Sequence, residues 1–175
     1  MPNIGNMMPE VINAYNVYLS GRLLGVSGET ELPELAALTE TVEAAGVLGE
    51  IEVPATGHFS SGKVKIPFAI LHEDVFRLAD TTKALELTLR GSEQFMDRTT
   101  GDTADIPVKI VVRGKATTNT LGKFVKGKKG EPEIEIEMYY LKVDVNEETA
   151  LELDKLNFKY VVNGKDLLAK IRKNI

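Results

Sequence analysis

Short runs in which apolar and polar positions alternate with period two recur along this chain, and each predicts a strand. Residues 15–19 and 22–26 flank Ser20 and Gly21, a two-residue turn of hairpin type, so the chain is expected to open with a hairpin. In residues 63–70, Val64, Ile66, Phe68 and Ile70 share one face, and Pro67 restricts that strand to an edge or a bulge. Leu85, Leu87 and Leu89 alternate with Glu86, Thr88 and Arg90, while Ile106, Val108, Ile110 and Val112 alternate with Pro107, Lys109, Val111 and Arg113. Two long strands follow from that pattern.

The run 133–145 places Ile134, Ile136 and Met138 on one face and Leu141, Val143 and Val145 on the other. A phase change near Tyr139 and Tyr140 predicts either a bulge or a strand passing from one environment to another. Glu133, Glu135 and Glu137 then form an acidic stripe. Leu156, Phe158, Tyr160 and Val162 predict a final strand, Asn163-Gly164 a turn, and Asp166 an N-cap for a short helix over 167–173. A second short helix is expected over 72–79, plugging or flanking a sheet with Val75, Phe76 and Leu78 on its inner side. Strands at regular intervals, little helix and many turn signals favour an all-β sandwich or barrel with helical trimmings over any α/β fold.

Between the opening hairpin and the strand at 63 runs a long loop-like stretch, residues 34–59. Ordering so long a connection costs backbone entropy that its own few apolar side chains cannot offset, so it reads as a contact arm. The N-terminal dozen residues and the lysine-rich tip at 122–132 are further contact candidates.

The 175 residues, 43% hydrophobic, suit one domain, and the net charge of −5 argues against a DNA-binding module. No cysteine is present, which removes thiolate chemistry and disulfides. The opening residues show neither a basic end nor a continuous apolar run, and no window is long enough to span a bilayer, so a cytoplasmic product is expected.

Searches for chemistry return little. The segments 57–63 and 122–128 match a phosphate loop up to its lysine, but Val64 and Lys129 stand where Ser or Thr is required, and strand patterns follow rather than helices. His58 and His72, with Ser60, Ser61, Glu73 and Asp74 nearby in sequence, match no catalytic or metal-ligand spacing. Neither enzyme activity nor a cofactor or metal is expected. Lys123, Lys126, Lys128 and Lys129, interleaved with Phe124, read as a charged hairpin tip. A small β-barrel that binds nucleic acid is the alternative.

The order of residues 18–25, then Leu32-Pro33-Glu34-Leu35, then 46–59, then 161–168 resembles the major tail tube protein family of contractile-tailed phages, also used in R-type bacteriocins. The most specific part is Ala45-Gly46-Val47-Leu48-Gly49-Glu50 followed by Pro54 and Gly57-His58-Phe59. The resemblance implies a sandwich or half-barrel subunit, six copies of which join their sheets into a ring, with rings stacked into a hollow tube. It implies inter-subunit contacts from the arm, with Leu48, Ile51, Val53 and Phe59 as apolar anchors, Gly46, Gly49 and Gly57 allowing tight paths, and Glu50, Pro54 and His58 alongside. Lys126, Lys128 and Lys129 are the contact candidates of the second loop. Implied partners are a tail sheath, a baseplate initiator, a tail terminator and, in a phage, a tape measure protein and DNA in the lumen. Assembly in the host cytoplasm and residence in a virion tail or bacteriocin particle go with that. Six chains at −5 each give about −30 per ring, so a repulsive lumen wall is expected, lined by Glu133, Glu135 and Glu137 or by the strand of Glu86.

Overall fold

The computed structural model describes residues 4–26, 28–43, 46 and 48–175. Ala45 and Val47 of the resemblance motif, and residues 1–3 of the N-terminal dozen, lie outside them. The chain forms β1 (Met7–Leu19), β2 (Arg22–Leu23), β3 (Ala37–Val42), β4 (Ile51–Phe59), β5 (Lys63–Pro67) and helix α1 (Glu73–Leu78). There follow β6 (Leu85–Asp97), β7 (Thr103–Thr120), β8 (Glu133–Val145), β9 (Glu148–Asp154), β10 (Lys159–Val162), β11 (Lys165–Asp166) and helix α2 (Ala169–Asn174). All pairings are antiparallel: the main sheet runs β11-β10-β9-β8-β7-β6-β1-β2, β5 joins the outer side of β8, and β3 and β4 pair only with each other. The architecture is mainly β, as the alternating runs predict.

β8 organises the two layers. Its first half pairs with β5, its second half with β9, and β7 lies along its other side throughout. Beyond β5 the chain after β2 adds bridges from Val26 to Phe68 and from Glu31 to Lys65, curling this half toward a barrel. Inside lie Val17, Leu24, Val64, Ile66, Phe68, Leu87, Val112, Ile134, Ile136 and Met138, all buried. Helix α1 closes one side by inserting Val75 and Leu78. Its N-cap is His72, whose Nδ1 accepts the amide of Asp74 at 3.2 Å. Buried Asp74 in turn lies 2.9 Å from the guanidinium of Arg22 on β2.

The phase change in β8 is a bulge. Arg113 faces Tyr140 and Gly114 faces Met138, so Tyr139 is the extra residue, and Leu141 returns to the core side occupied by Ile134, Ile136 and Met138 rather than the opposite face.

Other expectations need correction. Residues 34–59 are not loop-like: they hold the two strands of a hairpin, invisible to period counting because β3 and most of β4 are exposed on both faces. The strand at 63 stops at Pro67, which lacks an amide hydrogen, leaving Ile70 exposed. Phe76 faces solvent, away from Val75 and Leu78. The last long strand is β10 alone. Leu156 is exposed and Phe158 has φ of +50° in a turn, and β9, which the pattern left unassigned, supplies β10's partner. Asp166 belongs to β11 and Leu168 caps α2, although Asp166 Oδ1 still accepts the Leu168 amide at 3.0 Å.

Candidate assembly surfaces

The arm stands clear of the body. In β3 and β4, Val42 faces Ile51, Glu40 faces Val53 and Thr41 faces Glu52, so one side of the ribbon is apolar apart from Glu40 and the other is polar. Val42, Ile51 and Val53 are each more than 40% exposed. An isolated two-stranded hairpin is marginal in water, and an amphipathic one needs a surface to lie against. Leu48, Gly49 and Glu50 stand at the tip beside Gly46, with Leu48 fully exposed and Gly49 at φ +102°.

The other arm candidates form its root. The Phe59 ring meets Tyr160 edge-on at 5.0 Å between centroids and packs on the core, and His58 approaches Phe158 at 6.1 Å. Gly57 has φ of +80°, and a Cβ there would stand 2.5 Å from Leu168, so the root closes on its own chain only with glycine. The free apolar set is therefore Leu48, Ile51 and Val53, with Pro54 opposite Thr39 on the polar side.

A second surface is a sheet margin that the sequence pattern hides. β2 covers β1 only at Tyr18 and Leu19, and the Leu24 amide donates to the Val17 carbonyl at 2.8 Å, so from Met7 to Asn16 the outer edge of β1 has no strand beside it among the described residues. Bulges between Pro9 and Val11 and between Ile12 and Ala14 scramble the alternation, which is why only residues 15–19 read as a strand. Here β1, β6 and β7 run past the core as a tongue. On it Ile12, Tyr15, Leu32, Leu89, Val108 and Ile110 line an apolar trough of ≈ 160 Å³.

The third is the connection between β7 and β8. The Lys123 amide donates to the Gly130 carbonyl at 2.6 Å, forming a knuckle that turns at Gly127, and Lys126, Lys128 and Lys129 are exposed on it. Phe124, next to that closing bond, is 94% exposed.

The acidic stripe is not bare. Lys63 Nζ donates to Glu135 Oε2 at 2.8 Å, and Ser61 Oγ donates to Glu137 Oε2 at 2.5 Å with Lys155 nearby at 3.8 Å. The Lys63 hydrogen bond holds the Glu135 carboxyl below its usual range. Glu86 accepts from Arg113 Nε at 2.8 Å, and that guanidinium also lies over the Tyr140 ring. Across the same open face Lys142 pairs with Asp144 at 2.9 Å and Lys159 with Glu152 at 2.8 Å. The face is a lattice of alternating, mutually paired charges.

Within that lattice Asp144 is nearly buried; burial raises its carboxyl, but hydrogen bonds from Lys142 and Thr149 outweigh this and lower it overall. A carboxyl titrating lower in the fold than in the unfolded chain contributes stability fully present above about pH 5 and lost as pH falls through the depressed value. Asp144→Asn should therefore cost about 1–3 kcal/mol at neutral pH and flatten the acid limb of urea-unfolding midpoint against pH; an unchanged acid limb would show Asp144 to be silent.

No group of three or more His, Asp or Glu side chains converges as a metal site among the described residues, and none of the helices described is long and apolar enough to cross a membrane. The two phosphate-loop lookalikes lead into β5 and β8, not into helix N-termini. What the fold displays is a structural β subunit with an unpaired arm and sheet edge. A family model described as phage tail tube protein FII matches residues 9–175, and the chain belongs to that family of contractile phage tail tube proteins, which is structural and not enzymatic. It is 28% identical over 176 residues to the tail tube protein of Escherichia phage P2, covering 96% of this chain and 98% of that one. Two cryo-EM structures from an extracellular contractile injection system share the fold. The sheath/tube terminator of that system, in its extended state, aligns with TM-score 0.56 at 11% identity, over 78% of this chain and 97% of its own. The sheath-tube complex aligns with TM-score 0.51 at 10% identity, over 74% and 87%.

Proposed function

We propose that six copies of this chain join side by side into a ring and that rings stack into the inner tube of a contractile tail or related injection particle. The observation that carries this reading is the open edge of β1, whose backbone donors and acceptors from Met7 to Asn16 have no further strand beside them among the described residues. Closing a ring removes such an edge from every copy. The apolar side of the arm, Val42, Ile51 and Val53, then lies in the trough beside Tyr15 and Leu32 of a neighbour, burying both. Arms that gain order only on contact make addition to an existing end faster than starting a new ring.

The sheet face opposite the core lines the lumen in this reading. Glu86, Arg113, Lys142 and Asp144 lie on it, and its paired charges leave few free cations to hold a phosphate backbone, so DNA or ions pass without being captured. The whole subunit's net charge of −5 adds a mild repulsion. The sheath lies outside the tube and a baseplate initiator and terminator at its ends, in keeping with the sheath-tube assembly of the fold relative. In a phage, the tape measure protein and DNA occupy the bore. Subunits are made in the host cytoplasm and end in the virion tail or particle.

Negative-stain microscopy of the concentrated, purified chain tests this. Six-membered rings and hollow rods are expected; monodisperse monomers that bind single-stranded oligonucleotides in a salt-dependent manner would establish the nucleic-acid reading instead.

A further inference from the structure

Edges and ends of the long strands carry different chemistry. When copies join through sheet edges, the strand ends are left facing along the tube, and the two ends of this subunit are opposite in charge. At one end the tongue closes in the turn between β6 and β7, a segment that carries Asp97, Asp102 and, just inside β7, Asp105 against one cation, Arg98. Just behind, Glu10 and Glu93 line a groove of ≈ 310 Å³ together with Pro9, Val11, Ile12, Phe95 and Gln94, whose Nε2 donates to Glu10 Oε2 at 2.7 Å. At the other end stands the knuckle, which carries Lys123, Lys126, Lys128 and Lys129 with the exposed Phe124 and Val125 between the first two of them. These four lysines form no ion pair with any carboxylate among the described residues.

β7 is 18 residues long, so the two ends are about 55 Å apart, far beyond the screening length of about 8 Å in physiological salt. The poles of one subunit cannot neutralise each other. Each can act only on something brought into contact, and each has the shape and charge of the other's complement: an apolar knob among lysines, a groove lined partly by carboxylates. A pair of unlike patches on one body makes a head-to-tail contact, which repeats without closing. A two-fold pairing would instead set lysines against lysines.

We propose that the lysine-rich Phe124 knuckle of each subunit docks into the Glu10–Glu93 groove of a second copy in the adjoining ring, so that charge fixes both the joint and the polarity of stacking. This rests on the tube reading above. Nucleic acid would engage the lysines but leave the acidic groove without a role, and an acidic segment of another protein would do the same. The second copy alone accounts for both poles.

The test uses two full-length variants, Lys126→Glu/Lys128→Glu/Lys129→Glu, acidic at both ends, and Glu10→Lys/Glu93→Lys/Asp102→Lys, basic at both. None of the six side chains is buried, and circular dichroism of each variant should match the unaltered chain. Either variant alone is expected to stop at rings, with rod mass at least roughly tenfold below the unaltered chain. Mixing preformed rings of the two should restore rods, in which the variants alternate. Rods at the unaltered level from each variant alone would overturn the inference while leaving the tube reading intact, and would mean that the knuckle meets some other partner. A mixture no better than its components would overturn it too. Failure of the unaltered chain to form rings would remove the tube reading itself, a separate result.

Discussion

Gly114→Ala is expected to cost on the order of 3 kcal/mol, a large share of the roughly 5–15 kcal/mol that holds a domain folded. A Cβ at that position would stand 2.0 Å from the carbonyl oxygen of Glu137 and 2.9 Å from the Ile136 side chain. The obstruction is backbone of the neighbouring strand at the bulge around Tyr139, held on its other side by β5, so it cannot withdraw without unzipping β8. Gly91 makes the internal comparison: a Cβ there meets nothing closer than 3.6 Å, and Gly91→Ala should be neutral or stabilise by about 0.4–1 kcal/mol through the unfolded chain. Urea unfolding of the two variants gives the contrast. Equal midpoints would mean that β7 and β8 do not approach at Gly114 as described.

The second large effect concerns assembly rather than folding. Val42→Ser/Ile51→Ser/Val53→Ser replaces the apolar side of the arm while leaving the body untouched. Surface substitutions of this kind stay within about 0.5 kcal/mol each, so the isolated subunit should unfold at nearly its original midpoint. Should the three side chains become buried against a neighbour, each is worth about 1.5–3 kcal/mol, and losing all three should weaken association more than roughly a thousandfold. Sedimentation is expected to show monomers where the unaltered chain gives rings and rods. Rods of normal length and yield from the triple variant would mean that the arm grips nothing.

How much of this was legible in the sequence depended on whether one face of an element is buried. Leu85, Leu87 and Leu89 alternate without interruption because the barrel half covers one side of β6 and solvent the other, and β7 and β8 were readable for the same reason. The bulge could be placed because it leaves a phase error in an otherwise regular run. β3 and β4 could not be read, since a ribbon wet on both sides carries no period. β1 was half visible because two irregularities break its alternation.

Electrostatic partners were the least legible part. Glu133, Glu135 and Glu137 form a stripe in sequence, but Lys63 and Lys65 come to lie opposite them only through the register of β5 on β8, some 70 residues apart along the chain. His72 was readable as a helix-start residue, but its capping bond to the Asp74 amide needed the fold. The charged poles needed the course of β7 before acidic and basic segments could be assigned to opposite ends.

The partner of β1 lies far downstream. Met7 is paired with Asp97 and Leu19 with Leu87, so most of β1 leaves the ribosome without its mate until the chain has grown by about another seventy to ninety residues, β2 meeting it only at Tyr18 and Leu19. At bacterial translation rates of about 5–20 residues per second, that wait lasts several seconds. During it the strand bearing Val11, Ile12 and Val17 can pair with the same strand of a neighbouring nascent chain, so polysomes crowded with this message are where aggregation should begin, and a chaperone that shields the first twenty residues should raise yield more than one acting on the finished protein.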